Sequence, residues 1–212
     1  MKKVKINHLH KNKTNILNLS KKIIEQNGWN TLLFNKISAQ SDININDLTV
    51  LFPDGYIEML KFALDQTNLE LVNNCKKINL SKLPLHKRIK KILLAKFKIM
   101  EKEKKFYKRI FYFLLIPTNY KILSTQLYKS IDLMWYIAGD NSTDFNFYTK
   151  RMILSGIYTS LIINFINNHD LNYIEEKLDI HLLKVSKIPK IKKDFQYFTN
   201  NFKSYLTFFQ KA

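Results

Sequence analysis

Residues that break helices are rare in this chain: four glycines and four prolines in 212 residues. Glycine costs a helix backbone entropy and proline removes a backbone donor, so their scarcity leaves room for long uninterrupted helices. Between them the apolar residues recur at helical spacing. Thr14 can cap a helix carrying Ile16, Leu17, Leu19, Ile23 and Ile24, ended by Gly28. A second helix is expected from Thr31 through Leu32, Leu33, Phe34 and Ile37 to about Gln40. Asn44 caps a short third segment over 45–52, broken at Pro53-Asp54-Gly55, and a fourth helix runs from Tyr56 toward Leu71. From Ser81 more long helices follow: a stripe of Leu83, Leu85, Ile89, Ile92, Leu93 and Phe97 with basic residues between, the aromatic-rich run 106–116 stopped by Pro117, and a helix from about Tyr120 to Ala138. The fold class expected is all-α.

Several function classes drop out at once. One cysteine, Cys75, excludes a disulfide framework and any cysteine-based zinc site. Histidines 8, 10, 86, 169 and 181 lack HxxxH or Glu-x-x-His spacing, so no metal site is expected, and no phosphate-loop or dinucleotide glycine pattern occurs. No enzyme activity and no cofactor are expected. No apolar run reaches eighteen residues, and the N-terminus has lysines without an apolar core of a secretory signal.

The net charge of +18 suggests nucleic acid, but its distribution argues otherwise. Residues 1–13 carry +5 and read as a disordered basic N-terminus; residues 76–109 carry +12 and 184–212 carry +6, while 14–75 carry −3 and 110–183 carry −2. The four helices of 14–75 resemble the N-terminal domain of TetR-type regulators, with Ile37, Leu48, Phe52 and Pro53 in register with the family's helix-turn-helix and closing Phe-Pro. A recognition helix needs phosphate-binding cations and base-edge donors. The segment INDLTVLF offers one asparagine and Asp47, in an acidic subdomain that would repel the phosphate backbone. A degenerate helix-turn-helix scaffold without nucleic-acid binding is the expectation, with a ligand-responsive transcriptional regulator as the alternative.

The stretch WYIAGDNSTDFNFYTKR, 135–151, sets a polar corner between aromatic segments. Gly139 suits the position just past a helix ending at Ala138, and Asp140, Asn141 or Ser142 can cap the next helix, with Asp144 in its first turn. Capping leaves Phe145, Phe147 and Tyr148 unexplained. Residues 144, 148, 151 and 155 share one helix face while 145 and 152 lie on another, so one aromatic face can enter the core and the other meet a partner.

The segment DLMWYIAGDNSTDFNFYTKRMILSGIY resembles the hallmark of the coenzyme Q nine family of ubiquinone-biosynthesis accessory proteins, D-x-M-W-x-Y-A-G-D-x-S-x-D-F-N-W-Y-T-K/R-R. The resemblance extends from about 14 to 209, including FPDG at 52–55. It departs where Phe147 replaces a tryptophan, losing an indole donor, and where Tyr136-Ile137 replaces x-Tyr. It implies a TetR-like, often dimeric fold that binds neither DNA nor substrate for chemistry. By this resemblance the chain holds an isoprenoid lipid or quinone precursor and presents it to the di-iron demethoxyubiquinone hydroxylase. The partner-facing patch it implies is Met134, Asp144, Phe147, Tyr148 and Arg151. It also implies a place at the bacterial inner membrane's cytoplasmic face or the mitochondrial inner membrane's matrix face.

A carrier of a long apolar tail needs a cavity lined by aromatics and flexible aliphatics. Phe106, Phe111, Phe113, Leu114, Trp135, Met152 and Tyr158 are the candidates, in a helical lipid-binding domain over 76–183. After a basic linker around Pro189, Phe195, Phe198, Phe202, Leu206 and Phe209 step by three and four. That stripe, opposed by lysines in a segment 184–212, predicts an amphipathic helix for the membrane surface.

Overall fold

The computed structural model describes residues 2–142 and 145–186, and among them every regular element is a helix. These are α1 (Lys2–Asn27), α2 (Leu33–Gln40), α3 (Ile45–Leu51), α4 (Tyr56–Lys76), α5 (Leu85–Glu101), α6 (Lys104–Leu114), a 3-10 turn (Pro117–Asn119), α7 (Tyr120–Ala138) and α8 (Phe145–Ile166). A further helix, α9, occupies 171–186. No helix among the described residues is long and apolar enough to cross a membrane.

The breaks follow local chemistry. Gly28 and Gly55 take positive φ, 71° and 64°, at the ends where the sequence predicted turns. The Asn44 side chain accepts from the Asn46 N–H at the start of α3, the expected cap. Two starts differ from expectation. The first helix begins at Lys2, and the Thr14 hydroxyl donates to the His10 carbonyl inside it, a mid-helix bond rather than a cap. Residues 1–13 were expected to be a disordered basic N-terminus, yet residues 2–13 belong to this helix. The fifth helix starts after Pro84 rather than at Ser81, because proline fits a helix start and not its interior.

Helix α4 packs on α5, α5 on α7 and α7 on α8, while α1 lies against α2 and α6. One continuous core joins them, from Ile24, Leu33, Ile37 and Phe52 to Phe97, Ile131, Leu161 and Phe165. Helix α9 closes one side: Ile174 and Leu178 are buried, and Lys90 of α5 pairs with Glu175 and Asp179 at 2.9 and 2.8 Å. The 187–212 segment, with the membrane stripe predicted at Phe195, Phe198, Phe202, Leu206 and Phe209, lies outside the described residues.

Candidate functional site at the α7–α8 corner

Gly139 ends α7 in the left-handed conformation, φ 76° and ψ 37°, as the sequence predicted. Its N–H donates to the Tyr136 carbonyl at 3.0 Å and the Asp140 N–H to the Trp135 carbonyl at 3.1 Å, the paired bonds of a Schellman ending. Arg88 of α5 secures the corner from below. It donates to the carbonyls of Ala138, Leu83 and Ser81 at 2.9, 2.7 and 3.1 Å, joining the end of α7 to the approach to α5.

Asp140 is the electrostatic centre. Its carboxylate accepts from the Lys150 ammonium at 2.6 Å and the Ser142 hydroxyl at 2.7 Å, and the Arg151 guanidinium stands at 3.6 Å. Burial alone would raise its pKa, but the hydrogen bonds from Lys150 and Ser142 prevail and hold it below the usual carboxylate value. Arg151 also grips Asp132 of α7 through Nε at 2.9 Å and Nη2 at 2.7 Å. Its guanidinium carbon lies 3.3 Å from the centre of the Phe147 ring, which meets Tyr148 edge to face at 5.2 Å. The polar corner is therefore a clamp: α8 is fixed to α7 by charges whose far side carries aromatic rings.

The expected partner-facing residues separate. Phe147 and Arg151 are half-buried in the clamp, and Tyr148 is 68% exposed beside them. Met134 is wholly buried under the patch and contributes packing rather than contact. Asp144 lies outside the described residues. Tyr136, 79% exposed, belongs to the same corner and was not among the expected residues. Its signal lay in the stripe itself: Ile131, Met134, Trp135 and Ala138 recur at helical spacing on the buried side of α7, and Tyr136 falls outside that stripe.

The expected lipid-facing residues also divide. Met152, 74% exposed, lies on the outer surface one turn from exposed Tyr148 on α8 rather than in an interior wall. Phe113 is half-buried against Tyr56, with ring centres 5.8 Å apart. Phe106 packs between Trp29 and Tyr107 beside α1. Trp135 is buried under the corner, its indole Nε1 without a partner among the described residues. Phe111, Leu114 and Tyr158 do converge, with Leu64, Leu123, Gln126, Leu127, Ser130 and Ile162, on a cavity of about 20 Å³ between α4, α6, α7 and α8.

Behind that cavity sits a residue that the sequence pattern had not singled out. Lys96 is 1% exposed, and its ammonium donates to Asn68 Oδ1 and, at 3.3 Å, to Ser130 Oγ. Burial lowers its pKa to about 7 against the attraction of Asp65. The signal was available, because position 96 falls three and four residues after Leu93 and Ile92 on the buried stripe of α5.

Residues 121–186, which hold α7, the corner, α8 and α9, match the model of the COQ9 protein family. The ubiquinone biosynthesis protein COQ9, mitochondrial, of Bos taurus is 46% identical over 52 residues, 24% of this chain and 16% of its own length. That of Rattus norvegicus is 49% identical over 47 residues, 22% of this chain and 15% of its own length. The probable ubiquinone biosynthesis protein coq9, mitochondrial, of Dictyostelium discoideum is 25% identical over 154 residues, 70% of this chain and 50% of its own length. The matched segments span half the length of these relatives or less.

Proposed function

From the COQ9-family character of residues 121–186, we propose that the chain is a non-catalytic accessory protein of ubiquinone biosynthesis. In this reading it binds an isoprenoid quinone precursor at a membrane surface and presents it to the demethoxyubiquinone hydroxylase. It adopts a TetR-like homodimeric arrangement and works in the mitochondrion, as the names of its relatives suggest.

The observation that carries this reading is exposed Tyr148 and Met152, one turn apart on α8, on a charge-locked corner at which Tyr136 of α7 is also exposed. Large exposed aromatic and methionine side chains are the usual anchors of protein contacts, and a rigid base reduces the entropy lost when they dock. Nothing in the clamp needs chemistry to explain it: Asp140, Asp132, Lys150 and Arg151 are all used in holding two helices together.

The test has two arms. Organic extraction of the purified protein followed by mass spectrometry is expected to release an isoprenoid. A Tyr148→Ala/Met152→Ala variant is expected to keep that lipid and lose hydroxylase binding in a pull-down. An empty wild-type protein would remove the carrier role, and undiminished hydroxylase capture by the variant would remove the docking role.

A further inference from the structure

Between α1 and the α2–α3 pair lies a groove of about 430 Å³, away from the corner. Ile16, Ile43, Val50 and Leu51 give it an apolar lining, and Val50 is 76% exposed. Asp42 and Asp47 stand on the same groove, both exposed, and no basic side chain lines it. Neither carboxylate has an ion pair or side-chain hydrogen bond among the described residues. Their charge is left to whatever covers the apolar lining.

An apolar groove flanked by unpaired negative charge fits a segment whose apolar stripe is flanked by lysines, recognition by a helix laid in a groove. The chain carries such a segment. Residues 187–212, outside the described part, hold six lysines against one acidic residue, Asp194. Phe195, Phe198, Phe202, Leu206 and Phe209 recur there at helical spacing. The reach suffices: the 26 residues after Ser186 extend to about 85 Å, and a domain of this size is about 40 Å across. Tethering also gives the segment a local concentration on the order of millimolar, enough to populate a weak contact.

We propose that the groove between α1 and α3 docks the 187–212 segment of the same chain. The phenylalanines cover Ile43, Val50 and Leu51, and the lysines meet Asp42 and Asp47. The contact keeps an aromatic stripe out of water when no membrane is at hand. The inference goes beyond the carrier reading and stands without it.

Chymotrypsin cleaves after the aromatic residues that this contact covers, so limited digestion of the full chain, followed by mass spectrometry, reads the docking. In Asp42→Lys/Asp47→Lys, cleavage within 195–209 is expected to rise by about tenfold, because two attractions become repulsions. Both positions are exposed, so an unchanged circular dichroism spectrum is expected. Lys192→Glu/Lys193→Glu/Lys203→Glu is expected to speed cleavage too. Combined with the first pair, it is expected to return the rate to within about threefold of the wild type. Val50→Ser, which leaves the charge alone, is expected to accelerate cleavage by about threefold. Equal rates in the wild type and Asp42→Lys/Asp47→Lys overturn the inference. An acceleration that the combined variant does not reverse overturns 187–212 as the occupant. Protection lost on tenfold dilution assigns the segment to a second copy and overturns docking within one chain. Should Asp42→Lys/Asp47→Lys not fold, Asp42→Asn/Asp47→Asn is the second variant, with an acceleration of about threefold expected.

Discussion

Two residues tie stability to pH in different windows. Asp140 is held below its ordinary pKa by Lys150 and Ser142, so its contribution to stability is complete above the unfolded carboxylate value and is lost as pH falls through the folded one. Asp140→Asn is expected to lower the melting temperature at neutral pH and to flatten the acid limb of the stability curve, measured by thermal melts from pH 3 to pH 7. An unchanged acid limb would mean that other carboxylates govern it. Lys96 acts in the same direction but at higher pH. Its folded pKa of about 7 lies below the unfolded value of 10.5, so the unfolded chain binds the extra proton between them and stability rises with pH across that window. Below about pH 7 the buried ammonium is charged and its cost is borne in full. Lys96→Met, which keeps the length and removes the charge, is expected to abolish the rise between pH 7 and pH 10. It should also stabilise the protein near neutral pH, because each tenfold loss of proton affinity on folding is worth about 1.4 kcal/mol. A melting profile that still climbs with pH in that variant would assign the effect to another group.

At the scale of the helices, the corner stands on one backbone conformation. Gly139 has φ 76°, and a Cβ added there would sit 3.3 Å from Arg88 Nη1. Gly139→Ala is expected to cost about 1–2 kcal/mol from the left-handed backbone alone, and more as Arg88 gives way, read as a shift in the urea midpoint. Arg88→Ala is expected to destabilise by a similar amount through three carbonyls left without their donor. If both variants melt like the wild type, the corner is not what fixes α7 to α5. Much of this was legible: the end of α7 followed from Gly139 and that of α1 from Gly28, because only a few residues tolerate positive φ. The start of α1 was not, since a basic, polar helix leaves no apolar period to read. Nor were the contents of the interior. Helical spacing places Lys96, Gln126 and Ser130 on buried stripes, but their meeting depends on how α4, α5 and α7 cross, which no local pattern encodes. Met152 shows the same limit: an apolar residue in an aromatic segment looked like cavity lining, and the rotation of α8 turned it outward.

Over the whole molecule, the question is where the positive charge goes. The +12 block of 76–109 does not act as one surface. Lys96 is buried, Lys90 is paired with Glu175 and Asp179, Lys102 with Glu70 and Lys104 with Glu101, while Arg88 is used on carbonyls. What remains on α6 is Lys105, Lys108 and Arg109, which with Lys104, Glu25, Tyr112 and Asn168 line a groove of about 610 Å³. Lys108 donates to the Asn168 side chain and Arg109 to the Glu25 and Gln26 carbonyls, so their charges meet neutral acceptors and keep their field. Exposed Tyr112, Leu115 and Ile116 follow along the helix end, an aromatic and apolar edge beside cations that suits a bilayer interface. The proposed membrane docking then draws on α6, and a Lys105→Glu/Lys108→Glu/Arg109→Glu variant tests it by co-sedimentation with vesicles of neutral or partly anionic lipid. Each basic residue near such a surface contributes about 1 kcal/mol, so reversing three is expected to weaken binding to anionic vesicles by about a hundredfold or more, with little change on neutral ones. The difference is expected to shrink at about 1 M salt, where screening acts within about 3 Å. The control is Lys87→Glu/Lys91→Glu/Lys98→Glu, which makes the same charge change on exposed positions of α5. Equal losses in the two variants would mean that net charge, and not the α6 groove, brings the chain to the membrane; a loss confined to the α6 variant fixes which side of the molecule faces the lipid.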